Sequence, residues 1–124
     1  MGLYLAAKRA HWIVQGPRFV PLHELFGKVA DDAAETADKI AERIAQMDGT
    51  PTDENDTFSI TEKNGVTLLP QLLSAMDTCA ASNNKAIVLL LEMGDQVSAN
   101  MLMGLEESLE KLMWMVRKSQ QAGV

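Results

Sequence analysis

The chain has 124 residues, a length that predicts one compact domain spanning residues 1–124. Apolar residues make up 47% and aromatic residues 5%, which favours helices over a β-sandwich or barrel. A net charge of −6 argues against a bare nucleic-acid binder. The single cysteine, Cys79, excludes an internal disulfide framework. No apolar run reaches the roughly 18 to 20 residues that span a bilayer, and no signal-peptide pattern is visible, so we expect a cytoplasmic protein with no membrane partner.

Apolar residues at steps of three and four predict the first two helices. Helix A is expected over residues 3–14 and stops at the breaker sequence of residues 15–17. Helix B is expected to begin at residues 19–21, since proline is tolerated in a first turn. Its apolar stripe continues to Met47, and the turn-forming residues 48–51 end it.

The stretch over residues 52–66 is polar and acidic, with Phe58 and Ile60 as its apolar anchors. We interpret it as a long surface crossover with room for one short helix between helices B and C. Thr67 is the expected cap of helix C, with Pro70 still in its first turn.

Gly94 is expected to end helix C and Asp95 to cap helix D. Two helical hairpins joined by one long crossover predict an all-α fold, a four-helix bundle of the ferritin-like form. An ordinary up-and-down bundle is the alternative. Helix A is the shortest of the four, so its partners are expected to expose apolar surface that association covers.

The chain contains two histidines, His11 and His23, on either side of the first turn. Asp38 and Glu42 lie four residues apart on helix B and therefore project from one face. Imidazole together with carboxylates is a common ligand set for iron, manganese or zinc. The two carboxylates also lie among the basic residues Lys39 and Arg43, and on spacing alone such a pattern is more often a solvated helix face with ion pairs than a metal site.

Distance along helix B restricts how these residues can cooperate. His23 and Asp38 are fifteen residues apart, which corresponds to roughly 22 Å at 1.5 Å per residue. Their side chains cannot reach one metal ion within a single subunit. Two B helices packed antiparallel about a two-fold axis would bring the histidines of one copy beside the carboxylates of the other. If the four residues act together, they therefore form a metal site at a dimer interface.

The segment His11-Trp12-Ile13-Val14-Gln15-Gly16-Pro17-Arg18-Phe19, followed by Leu22-His23-Glu24-Leu25-Phe26, fixes both histidines with a breaker between them. Residues 38–43, 49–51 and 109–115 continue the pattern. On these residues the chain resembles the Dps mini-ferritins over nearly its whole length.

The resemblance implies a ferritin-like bundle that assembles as a hollow homododecamer. It also implies a ferroxidase centre in which His11 and His23 of one subunit face Asp38 and Glu42 of its neighbour. Such a protein oxidises Fe(II), commonly with hydrogen peroxide, stores ferric iron and protects against oxidative stress. A zinc or manganese site that only holds the dimer together is an alternative.

Two departures from the family pattern matter for function. Gly27 stands where the family has an aspartate that helps His23 hold a second iron position, and Glu24 and Asp31 are the nearest acidic residues. The alternative function is therefore a ferritin-like shell or metal-binding protein with impaired or absent ferroxidase activity. The lysine-rich tail that binds DNA in many relatives is also missing, so we expect no tight DNA binding. Trp12 is expected to be a buried packing residue.

Overall fold

The computed structural model describes residues 2–52 and 57–120. These residues form four helices: α1 (Gly2–Ile13), α2 (Phe19–Gln46), α3 (Gly65–Glu92) and α4 (Gln96–Ser119). The hairpins α1–α2 and α3–α4 pack together, with α1 against α3 and α2 against α4. Helices account for all regular elements in the described ranges, so the predicted all-α four-helix bundle is confirmed. None of these helices combines the length and apolarity needed to cross a membrane.

Two glycines end helices where the sequence predicted breaks. Gly16 has φ 118° in the turn between α1 and α2, and Gly94 has φ 80° between α3 and α4. Both values lie in a region that side chains with a Cβ rarely adopt. These turns reverse the chain and set each pair of helices antiparallel.

The crossover between α2 and α3 is hydrogen-bonded to the rest of the bundle at its C-terminal end. Ile60 is buried, and its carbonyl accepts a hydrogen bond from Arg9 Nε at 2.6 Å. The Gln15 backbone N–H donates to the Lys63 carbonyl at 2.7 Å. The described parts of the crossover contain no helix, and residues 53–56 lie outside the described residues, so the short helix is not confirmed.

The cap of α3 lies earlier than the sequence analysis expected. Asn64 is the N-cap, and its side chain accepts from the Val66 backbone N–H at 2.9 Å. The prediction of Thr67 as the cap is therefore wrong, because the extended Asn64 already satisfies a first-turn donor. Pro70 consequently lies inside the helix and not in its first turn. Asp95 caps α4 as predicted, accepting from the Ser98 N–H at 3.1 Å.

The core is concentrated in the half of the bundle that contains α1. Phe26, Leu68 and Met76 are fully buried there. In the other half, Ile44 and Met47 at the end of the α2 stripe are exposed. Within the described residues α1 has 12 residues and α2 has 28, so α1 packs along only the first part of α2.

Candidate metal centre

His11 and His23 meet across the α1–α2 hairpin. Their imidazole rings stack with centroids 3.7 Å apart and planes 13° apart. His11 Nδ1 lies 2.6 Å from the His23 carbonyl oxygen, and His23 Nδ1 lies 2.6 Å from the His11 carbonyl oxygen. Phe19 stacks on the other side of His23, at 5.1 Å between centroids. The short turn between α1 and α2 thus brings into contact the two histidines that the sequence places on either side of it.

The reciprocal hydrogen bonds determine which ring nitrogens are available. A carbonyl oxygen only accepts, so each Nδ1 must carry the proton and donate it. In the neutral imidazole the other nitrogen, Nε2, then keeps its lone pair. Metal-binding histidines are commonly oriented by a carbonyl partner of this kind. Both rings are thus held in the form that can bind a metal through Nε2.

Gly27 lies directly against the His11 ring. A Cβ placed on Gly27 would be 3.2 Å from His11 Nδ1 and 3.3 Å from His11 Cε1. Those distances are tighter than ordinary van der Waals contact, so any larger residue requires His11 to shift by a few tenths of an ångström. From the sequence, Gly27 is visible only as a missing carboxylate. Its contact with His11 joins residues of two different helices, which residue spacing along one helix does not predict.

Asp38 and Glu42 lie further along α2 and are both exposed. The nearby basic residues have other partners, since Lys39 pairs with Glu35 at 3.1 Å and Arg43 lies 3.7 Å from Asp95. Within residues 2–52 and 57–120 of one chain, no three histidine, cysteine, aspartate or glutamate side chains converge on a common ion position. The histidines and the two carboxylates are therefore not brought together within one subunit.

Exposed apolar side chains surround the histidine hairpin. Leu5 and Trp12 on α1 are 60% and 67% exposed, and Val20 at the start of α2 is 59% exposed. The expectation that Trp12 is buried is wrong, because its position on α1 faces away from the other three helices. These three large apolar side chains of the hairpin are therefore available for contact with another chain.

A second polar cluster, between α3 and α4, was missed by the sequence analysis. Glu106 is 5% exposed and accepts hydrogen bonds from Asn83 Nδ2 at 3.0 Å and Asn84 Nδ2 at 3.5 Å. Burial raises the pKa of Glu106; the Asn83 hydrogen bond opposes this effect, and the neighbouring Glu110 adds to it. Glu106 falls on the apolar stripe of α4 by its spacing, but a glutamate side chain is usually exposed. The sequence therefore does not predict that this carboxyl is buried.

The comparisons with known proteins agree with this architecture. Residues 1–121 match the family model of the ferritin-like domain. The DNA protection during starvation protein of Brevibacillus brevis is 30% identical over 122 residues, covering 92% of this chain and 82% of that protein. The fine tangled pili major subunit of Haemophilus ducreyi is 31% identical and matches 93% of this chain, which spans 65% of its length. A C-terminal deletion mutant of Mycobacterium smegmatis Dps superposes with a TM-score of 0.87 at 28% identity, covering 97% of this chain and 88% of that one.

These matches define the class of protein as ferritin-like, and the predicted ferritin-like form of the bundle is confirmed. Within that class, the chain belongs to the Dps family.

Proposed function

We propose that this protein is a Dps-type mini-ferritin that binds and oxidises Fe(II) at sites shared between two subunits and stores ferric iron in a dodecameric shell. The observation that carries the proposal is the stacked pair of His11 and His23. Both Nδ1 atoms are engaged by backbone carbonyls, which leaves two Nε2 lone pairs on one hairpin.

Asp38 and Glu42 of the neighbouring subunit would complete the site. Asp38 lies eleven residues after Gly27 and seven residues after Asp31. At 100° per residue, both steps come within about 20° of a whole number of turns. The three residues therefore lie on one side of α2. Two α2 helices packed antiparallel on this side would place the carboxylates of one copy beside the histidines of the other. Burial of exposed Leu5 and Trp12 would contribute to such an association.

The chemistry follows from the charge of the donors. Two neutral imidazoles and two carboxylates bind Fe(II), and the negative charge favours Fe(III) more strongly than Fe(II). Oxidation of two Fe(II) ions by one hydrogen peroxide consumes two protons and yields two Fe(III) and two water molecules. Iron is the substrate and the stored product in this reaction, and the protein supplies the binding and the favourable field.

Gly27 indicates a lower ferroxidase activity than the family pattern would give. It supports the second candidate function, a shell with little or no ferroxidase activity. Without a side chain at this position, the neighbourhood of His23 lacks the carboxylate that the family provides there. The space beside Gly27 is filled by the His11 ring. We infer that one iron position is well supplied with ligands and that the second is depleted.

The test is an anaerobic Fe(II) titration followed by hydrogen peroxide, with ferric absorbance recorded over time. We expect wild type to oxidise Fe(II) faster than His11→Ala, and Gly27→Asp to oxidise it faster than wild type. Gly27→Ala is the matched control, since it introduces the same Cβ contact with His11 but no carboxylate. Equal rates in wild type and His11→Ala would exclude the histidine site, and equal rates in Gly27→Asp and Gly27→Ala would exclude the depleted second position.

A further inference from the structure

Three positions at steps of four form one row along the first part of α2: Phe19, His23 and Gly27. Residues four apart on a helix lie above one another on the same face. A side chain at the third position of this row would lean back toward the second, because helical side chains point toward the N-terminus of their helix. Gly27 has no side chain, so this part of the row is open to a group from another helix.

The imidazole ring of His11, which comes from α1, occupies that open part of the row. Its centroid lies 3.7 Å from the centroid of the His23 ring. A Cβ on Gly27 would be 3.2 Å from its Nδ1 atom. The backbone of α2 at Gly27 therefore limits how far the His11 ring can move away from His23.

Phe19 forms the other end of the stack of rings. Its centroid lies 5.1 Å from that of His23, with the two planes 27° apart, which is the range of favourable contacts between aromatic rings. His23 therefore has one ring against each face, His11 on one side and Phe19 on the other. Phe19 is 41% exposed and lies outside the buried core, so the contact with His23 is what a phenyl ring in particular provides at this position.

Hydrogen bonds at the start of α2 fix the backbone that carries Phe19. The Phe19 N–H donates to the Gly16 carbonyl at 3.1 Å, and the Leu22 N–H donates to the Arg18 carbonyl at 3.1 Å. Arg18 Nη1 also donates to the Ser119 carbonyl at the end of α4, at 2.5 Å. Because the turn is bonded to α4 as well as to its own helix, the Phe19 ring has a defined position from which it can hold a neighbouring ring.

A contact on the second face matters because a single hydrogen bond does not fix an imidazole ring. The bond between His23 Nδ1 and the His11 carbonyl holds one corner of the ring, and the ring could still tilt about that corner. Rings on both faces restrict the tilt. The direction of the Nε2 lone pair, which a metal ion would use, depends on this tilt.

We propose that Phe19 is a positioning residue for the candidate metal centre. It holds the His23 ring against His11, so that the Nε2 atom of His23 keeps a fixed direction. The effect of this orientation on Fe(II) binding rests on the proposed function, whereas the orientation itself is a property of the metal-free hairpin.

The test compares Phe19→Leu, which keeps an apolar side chain without a ring, with Phe19→Tyr, which keeps the ring. Val20→Ala controls for the loss of an exposed apolar side chain from the same hairpin. Solid-state NMR of metal-free protein labelled with ¹⁵N-histidine, at about pH 8 where imidazole is neutral, reports which ring nitrogen carries the proton. We expect the Nδ1–H form of His23 in wild type, Phe19→Tyr and Val20→Ala. We expect a mixture with the Nε2–H form in Phe19→Leu, because a tilted ring loses the carbonyl partner that fixes the tautomer.

Anaerobic Fe(II) titration gives the second measurement. Phe19→Leu should bind Fe(II) about tenfold more weakly than wild type, the loss typical when the support of a metal-binding histidine is removed, and Phe19→Tyr should bind as wild type does. Wild-type tautomers or wild-type Fe(II) affinity in Phe19→Leu would overturn the proposal, and so would a Phe19→Tyr variant that behaves as Phe19→Leu does. Absence of Fe(II) binding in wild type would instead exclude the proposed function, and the tautomers of the metal-free variants would still decide whether Phe19 holds the His23 ring.

Discussion

The Nδ1 atom of His11 lies 2.6 Å from the His23 carbonyl oxygen, and the same relationship holds in reverse. This pair of reciprocal hydrogen bonds joins the end of α1 to the start of α2 and orients both imidazole rings. It therefore links the stability of the hairpin to the availability of the Nε2 atoms. Loss of either ring removes a hydrogen bond and a stacked partner at the same time.

Replacement of one histidine should accordingly destabilise the protein even without iron. We expect His23→Ala to lower the free energy of unfolding by about 1 to 3 kcal/mol, from the lost hydrogen bond to the His11 carbonyl and the lost ring contacts. Urea denaturation of the metal-free protein measures this change. Asp38→Ala, which removes an exposed side chain of α2, is the control and should change stability by no more than about 0.5 kcal/mol. Equal stability of His23→Ala and wild type would contradict the structural role of the pair.

Two glycines in helices should respond in opposite ways to the same substitution. A Cβ on Gly65 would approach Leu22 Cδ1 to 2.5 Å, whereas a Cβ on Gly104 meets open space. Leu22 is buried and cannot move away freely, so Gly65→Ala should cost about 1 to 3 kcal/mol. Gly104→Ala should stabilise the protein by up to about 1 kcal/mol through helix propensity. Thermal unfolding of both variants tests the packing around the start of α3, and stabilisation by both would show that Leu22 gives way.

The buried Glu106 should make stability depend on pH. Because burial raises its pKa in the folded state, the folded protein binds the proton more tightly than the unfolded chain does. Stability therefore falls as pH rises from the ordinary value of 4.5 through the folded pKa. Glu106→Gln should reduce this fall, as measured by denaturation between about pH 4 and 8. Glu107→Gln, an exposed neighbour, should keep the wild-type pH dependence; identical curves for Glu106→Gln and wild type would contradict the assignment.

Much of this architecture could be predicted from the sequence. The breakers at Gly16 and Gly94 interrupt strong periodic patterns, so the helix boundaries were recovered to within one or two residues. The start of α3 was the exception, because Asn64 and Thr67 are both competent caps and tertiary contacts decide between them. The Gln15–Asn64 bridge is one such contact.

The details of the candidate site were harder to predict from the sequence. The position of His11 and His23 on either side of a short turn is visible in the sequence. The reciprocal carbonyl bonds and the Gly27 contact depend on how closely α1 and α2 approach each other, and residue spacing along one helix does not specify that distance. Trp12 was misplaced because an aromatic residue on a short amphipathic helix is usually buried, and here it faces outward.

The net charge gives a further prediction, which concerns DNA binding. Each chain carries a net charge of −6, so a shell of twelve would carry about −72 and would repel phosphate. We expect no shift of plasmid DNA in gel electrophoresis at neutral pH and physiological salt. Addition of a lysine-rich segment ahead of α1 is the positive control. A shift by the 124-residue chain without this addition would show that local charge overrides the total.

We propose that each iron site combines residues from two subunits, and complementation between two variants tests this sharing most directly. One variant carries His11→Ala and His23→Ala, and the other carries Asp38→Ala and Glu42→Ala. Each alone should lose high-affinity Fe(II) binding. Random co-assembly of equal amounts should restore about a quarter of the wild-type sites, because half of the dimers are mixed and each mixed dimer has one intact site of two. If mixed assemblies form and bind no more Fe(II) than either variant alone, the shared site is contradicted.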